Sequence, residues 1–254
     1  MLAQERHWRI MEQLRREQVV KVCDLAQQLA VSAETIRRDL DVLEQQGCLK
    51  KVHGGAVLEQ IQTYEPKFEE RKHLFSENKK ELAQLVCKLV VEGDSIALDA
   101  GTTSLEIARV LKSQYTSLTV VTNSIPVVCE LMDKPQFSVI LAGGAVYGEE
   151  KAVVGGVCVE QIRQYRVNRY FLTPSGISLH SGVTSYDLRE AEIQRTFAEI
   201  ANHVVVFCQS GAFDSASLVK VCDLIRVEEI VTDSELPQEF RERYESAGIA
   251  VLTP

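Results

Sequence analysis

Apolar positions recur along the chain in three rhythms. His7, Ile10, Met11 and Leu14 lie at the spacing of one helical face, and so do Val22, Leu25, Ala26 and Leu29 over a shorter stretch. Ile36, Leu40 and Leu43 mark a third helix. Ser32 precedes that helix as an N-cap, and Glu34 sits in its first turn, where the exposed amides favour negative charge. Gly47 follows it and suits a left-handed helix end. The segment Leu49-Lys50-Lys51-Val52-His53-Gly54-Gly55-Ala56-Val57 then predicts a two-stranded hairpin turning at its glycine pair. From residue 93 the rhythm changes. Short unbroken apolar runs at 95–99, 118–122, 138–142, 170–172, 203–207, 230–232 and 250–252 alternate with helical stripes. Such strands, apolar on both faces, predict a mainly parallel sheet covered by helices on both sides.

The fold class expected is therefore α/β. A small N-terminal winged helix-turn-helix domain, residues 1–58, precedes a linker at 59–80 and a larger α/β domain at 81–254. The linker is polar and broken at Pro66. It reads as a solvated charged helix running into Leu82, Leu85, Val86 and Leu89.

Charge sharpens this division. The chain of 254 residues carries a net −8, which by itself disfavours a nucleic-acid partner. Residues 1–58, however, hold nine Lys and Arg against eight Asp and Glu, and the acidic surplus lies wholly beyond them. What DNA meets is a local face, and the third helix supplies one through Ser32, Thr35, Arg37 and Arg38 on its outward first turns. Arginine can hold a guanine edge bidentately or clamp phosphates, and hydroxyls suit either target. Lys50, Lys51, His53 and Gly54 would form a wing against the DNA backbone.

Three strand ends share a second chemistry. Gly101-Thr102-Thr103-Ser104, Thr122-Asn123-Ser124 and Gly143-Gly144 place small hydroxyl or glycine residues before a helix or turn. Free helix amides, close backbone approach and hydroxyl donors together hold a phosphate or carboxylate without much net charge. Ligands of parallel sheets bind at such carboxyl ends. Asp99 and Glu190 add carboxylates that could orient a sugar hydroxyl.

The remaining composition narrows little. Seven cysteines include no Cys-x-x-Cys pair and the five histidines no close pair, so neither a metal nor another cofactor is expected. No run of eighteen apolar residues is present, and the first sixteen residues are charged and periodic rather than signal-like. A cytoplasmic location is expected.

The string Val31-Ser32-Ala33-Glu34-Thr35-Ile36-Arg37-Arg38-Asp39-Leu40, with Leu43, Gly47 and His53-Gly54-Gly55-Ala56, resembles the DeoR family of bacterial regulators. The resemblance continues through Asp99-Ala100-Gly101-Thr102-Thr103, Thr122-Asn123-Ser124, Leu141-Ala142-Gly143-Gly144, Val154-Gly155 and Glu190-Ala191-Glu192. It implies a reading helix from Ala33, and a sensor similar in fold to sugar-phosphate isomerases that answers to phosphorylated sugars. It further implies repression of carbohydrate-use operons and a connector that carries the signal between the two parts. The expected partners are a double-stranded DNA operator, a small anionic sugar-type effector and further copies of the chain in a dimer or tetramer.

Departures from the family pattern cluster. Thr173-Pro174-Ser175-Gly176 stands where Gly-Ala-Asp-Gly is common, Gln209-Ser210-Gly211-Ala212-Phe213 where Asp-Ser-Ser-Lys-Phe is common, and Gln194 where lysine often follows. An isomerase or deaminase would need a placed base and a stabilising cation, and these changes remove candidates for both. A non-enzymatic regulator is thus the expectation. A metabolic enzyme with an appended head and a nucleoid or scaffold protein are the alternatives, and operator binding with and without metabolite separates the three.

Overall fold

The computed structural model describes residues 2–17, 19–45, 48–52, 54–57, 67–72 and 76–254. Gly47, His53 and, within the 59–80 connector, residues 59–66 and 73–75 lie outside the described residues. The head comprises α1 (Ala3–Glu17), β1 (Val19–Lys21), α2 (Val22–Gln28), α3 (Ala33–Gln45), β2 (Lys50–Val52) and β3 (Gly55–Val57). The three expected stripes meet: Ile10, Leu14, Leu25, Ile36 and Leu40 are all fully buried in one core. Ser32 caps α3, its Oγ accepting from the Thr35 amide at 3.1 Å.

The wing has three strands rather than the expected two, in the order β1-β3-β2 and antiparallel throughout. Val19, Val20 and Lys21 form the extra strand, too short to announce itself beside the α2 stripe. The glycine pair now has two separate reasons. Gly54 turns at φ 82, in the left-handed region. A Cβ on Gly55 would stand 1.9 Å from the Val20 carbonyl oxygen, so only glycine lets β1 and β3 close.

Part of the connector departs from the solvated helix read in the sequence. The short helix α4 (Phe68–Arg71) is anchored by Phe68, which is 1% exposed, and the Phe68 amide donates to the Glu149 carbonyl. Arg71 pairs with the buried Glu150, and Lys79 Nζ donates to the Arg71 carbonyl at 2.5 Å. One aromatic ring and one buried ion pair hold this segment onto the larger domain.

That domain runs α5 (Ser76–Cys87), β4 (Ser95–Leu98), α6 (Thr102–Gln114), β5 (Thr119–Thr122), α7 (Ile125–Leu131), β6 (Ser138–Leu141), β7 (Ala145–Tyr147), β8 (Ala152–Val154), α8 (Gly156–Ile162) and β9 (Val167–Leu172). It continues through β10 (Gly176–Ser178), β11 (Gly182–Ser185), α9 (Leu188–Ile200), β12 (Ala201–Phe207), β13 (Val219–Cys222), β14 (Glu229–Val231), α10 (Gln238–Ser246) and β15 (Ala250–Leu252). Seven strands form one parallel sheet, ordered β15-β14-β12-β9-β4-β5-β6, and they are the seven apolar runs of the sequence. Their side chains alternate between two cores. Ile96, Leu98 and Phe171 face Leu82, Val86, Ile107 and Leu131 on α5, α6 and α7. Ala97, Tyr170 and Leu172 face Ile162, Phe197 and Tyr244 on α8, α9 and α10. A hairpin β7-β8 and a small antiparallel sheet β10-β11-β13 flank the carboxyl edge.

Candidate functional site

On the head, α3 projects its first turns away from the core. Arg37 and Arg38 are exposed and make only loose contacts with Glu34, at 3.4 and 3.5 Å. Ser32 is exposed, but its Oγ lies 2.8 Å from Thr35 Oγ1, so both hydroxyls are already engaged at the cap. The opposite side of the helix is fixed through Asp39. Arg6 on α1 donates to both its oxygens at 2.5 and 2.9 Å, and His7 Nε2 lies 2.9 Å away. Burial opposes ionisation there, yet the bonds from Arg6 and His7 hold the Asp39 carboxyl below its ordinary value.

The wing cations are not equivalent. Lys50 is exposed, whereas the Lys51 ammonium pairs with Asp41 and the Lys51 amide donates to Glu44 Oε1 at 2.7 Å. Lys51 therefore ties the wing to α3 instead of reaching outward, which its place in a basic pair did not foretell. Gly54 forms the wing's turn. His53 lies outside the described residues.

The three strand ends that looked alike in the sequence differ in space. At the end of β4, Gly101 offers no capping side chain to the first amides of α6, a thirteen-residue helix. Thr102 is buried and Thr103 half-buried, and neither hydroxyl bonds another described residue. At the end of β5 the amides are already used: Thr122 Oγ1 accepts from the Ser124 amide at 3.0 Å, Ser124 caps α7, and the Ile125 amide donates to the Lys151 carbonyl. The third end leads into β7 and not a helix, and the Gly143 amide donates to Gln161 Oε1 at 2.6 Å. Gly144 is glycine because a Cβ would press to 2.8 Å on the Val154 carbonyl oxygen. Gly176 has a similar packing reason, with Ser215 Oγ 2.7 Å from where its Cβ would be. Of these three strand ends, only the first leads into a helix whose start has no side-chain cap.

Beside that start lies Asp99, only 2% exposed. Tyr170 and Gln194 donate to its Oδ2 at 2.8 and 3.0 Å, and Thr173 and Ser104 to its Oδ1 at 3.2 and 3.3 Å. Burial pushes this carboxyl up to about 6, against the pull of Tyr170, Gln194 and Thr173. Among the described residues no cation shares this bond set; the donors are neutral, and Gln194 supplies an amide. With four protein donors, Asp99 is held in place at the carboxyl edge and has little left for a sugar hydroxyl. Glu190 is half-buried in the first turn of α9, where Asp187 accepts from its amide and from that of Arg189.

Several buried polar atoms along this edge have no protein hydrogen-bond partner among the described residues. They include Asn123 Oδ1 on β5's end, Gln194 Oε1 on α9 and Thr232 Oγ1 just past β14. Native proteins rarely leave such atoms unmatched. Asn123 is legible from its strand-end position, whereas Thr232 and the Asp99 partners Tyr170 and Thr173 are not among the residues that pattern selects. Thr232 answers to a looser form of the same rule, since Ile230-Val231-Thr232-Asp233 is also a strand followed by small polar residues.

A winged helix-turn-helix carried ahead of a parallel sheet, with a helix start open at the sheet's carboxyl edge, is the layout of a one-chain DNA-binding regulator. A model of the DeoR C terminal sensor domain matches residues 75–234, and a model of the DeoR-like helix-turn-helix domain matches residues 6–62. The HTH-type transcriptional regulator FruR of Bacillus subtilis is 34% identical over 254 residues, spanning all of both chains. The glycerol-3-phosphate regulon repressor of Escherichia coli K12 is 30% identical over 233 residues, 92% of each chain. Ribose 5-phosphate isomerase A from Methanocaldococcus jannaschii aligns with 54% of this chain and 54% of its own at TM-score 0.40 and 14% identity. The chain belongs to the DeoR family. It is a DNA-binding transcriptional regulator and not an enzyme. Among the described residues no helix is long and apolar enough to cross a membrane.

Proposed function

We propose that this regulator represses a carbohydrate-use operon and that a small phosphorylated or otherwise anionic sugar-derived metabolite controls it. The observation that carries the effector reading is the juxtaposition at one sheet edge of the uncapped α6 start, the free Thr102 and Thr103 hydroxyls and the unmatched Asn123, Gln194 and Thr232 atoms. An anion at α6 would accept the first-turn amides, and a hydroxylated body would meet the neutral acceptors around it. Relatives named for a glycerol-3-phosphate regulon support the carbohydrate class. Neutral Gln194 beside Asp99 and Ala212 on the neighbouring turn, at positions where the family pattern commonly has lysine, favour an effector of lower charge.

Operator reading falls to Arg37 and Arg38, supported by Lys50, with copies of the chain paired on repeated half-sites because a single helix reads too few bases. The test is operator binding by the chain and its variants, followed by titration with phosphorylated and unphosphorylated sugars. Arg37→Ala and Arg38→Ala should each cost about 1–3 kcal/mol of operator affinity. Thr102→Val combined with Thr103→Val should abolish the response to metabolite while leaving operator affinity intact. Unchanged affinity in both arginine variants would remove α3 as the reader, and a normal metabolite response in the threonine pair would move the pocket elsewhere.

A further inference from the structure

The head touches the sensor at a place that matters to the crevice. After β12 the chain makes one helical turn, Ser210–Ala212, whose first amide donates to Asp233 Oδ2 at 3.0 Å beside Thr232. This turn is the lip of the carboxyl edge, and α1 packs directly on it. The fit is close: a Cβ on Gly211 would stand 2.8 Å from Glu12 Cγ and 3.0 Å from its Oε1. Gly211, having no Cβ, leaves the room that the Glu12 side chain occupies. Glu12 in turn shares α1 with Arg6 and His7, which grip Asp39 on α3. A continuous line of contacts thus runs from the crevice lip through one rigid helix to the reading helix.

Next to the contact a cleft of about 460 Å³ opens between Arg9, Gln13 and Leu29 on the head and Asp214, Pro237 and Phe240 on the sensor. A single-turn contact beside an open cleft can be made and broken without unfolding either part. Docking through α1 also leaves Arg37 and Arg38 exposed.

We propose that the Ser210–Ala212 turn is a docking surface for the chain's own DNA-binding head, so that the state of the crevice lip sets head orientation directly, alongside the connector. The proposal rests on α3 being the DNA reader. A disulfide between Glu12→Cys and Gly211→Cys tests it, in a background where the exposed Cys23 and Cys129 are serine. The close approach of the two sites suits the Cβ separation of about 3.5–4.5 Å that a disulfide needs. The readouts are intramolecular crosslinking by peptide mass and affinity for a duplex selected from random DNA by the wild-type chain. The expected result is ready crosslinking on mild oxidation and an operator dissociation constant that changes tenfold or more, restored by reductant. No crosslink, or equal affinities within twofold in the two redox states, overturns the docking role. If the cysteine pair does not fold, Gly211→Ser replaces it. Its operator affinity should shift by at least threefold with both domains melting normally, and an unshifted value overturns the proposal. A reduced chain that binds no duplex at all would instead overturn the reader assignment, and this inference with it.

Discussion

Asp99→Asn isolates the cost of keeping an uncompensated carboxylate at the carboxyl edge. The substitution conserves shape. Its carbonyl can take the bonds from Tyr170 and Gln194, while its amide donates to the Ser104 and Thr173 hydroxyls, which rotate to accept. In the wild type burial raises the carboxyl from 3.8 to about 6. A raised acid disfavours its charged form in the fold, so its contribution to stability is full below the unfolded value and is lost as pH rises through the folded one. At roughly 1.36 kcal/mol per pH unit the complete loss is about 3 kcal/mol, of which about 2 falls between about pH 4.5 and about pH 7.5. The amide of the variant cannot titrate. Urea unfolding of both chains across that window should therefore show the variant gaining about 2 kcal/mol on the wild type as pH rises, with equal m-values. Taking the difference between the two chains cancels the other titrating groups. A stability difference that stays flat with pH would refute the reasoning, and one that moves the other way would mean that the four donors outweigh burial.

Three further outcomes follow from the geometry. Ser32→Ala should lower head stability by about 1 kcal/mol through loss of the α3 cap, read by thermal melting. Gly55→Ala should cost about 3 kcal/mol by driving β1 from β3, and an unchanged melting temperature would show that the wing tolerates the overlap. Lys50→Ala should flatten the salt dependence of operator binding more than Lys51→Ala, because Lys51 is already paired with Asp41.

Much of the fold was readable because its signals are local. All seven strands of the main sheet are short apolar runs separated by helical stripes, the pattern of a parallel sheet covered by helices on both sides. The α3 cap and stripe likewise need nothing beyond neighbouring residues. What escaped depends on partners distant in sequence. Val19–Lys21 becomes a strand only because β3 lies beside it, and the Phe68–Arg71 turn is anchored only because Glu149 and Glu150 return to meet Phe68 and Arg71. The candidate crevice was half legible: the strand-end rule found Thr102, Thr103 and Asn123. It also credited Thr122 and Gly143 with a freedom that Ser124 and Gln161 take up. Nothing in the order of residues could say that Gln194 would bond Asp99 from 95 positions away.

The three-stranded wing has a consequence for the operator itself. With β1 seated against Gly55, and Lys51 tied to Asp41 and Glu44, the wing cannot swing independently of α3. With α3 and the wing both on the operator, as proposed, a head this stiff would present two probes at a fixed separation, and the double helix would accommodate them by adjusting groove width and local bending. Selectivity then extends to base pairs that no side chain reaches, through how easily their steps deform. Half-sites that keep every contacted base but exchange a flexible pyrimidine–purine step for a stiff A-tract between the reading helix and the wing should bind measurably less well.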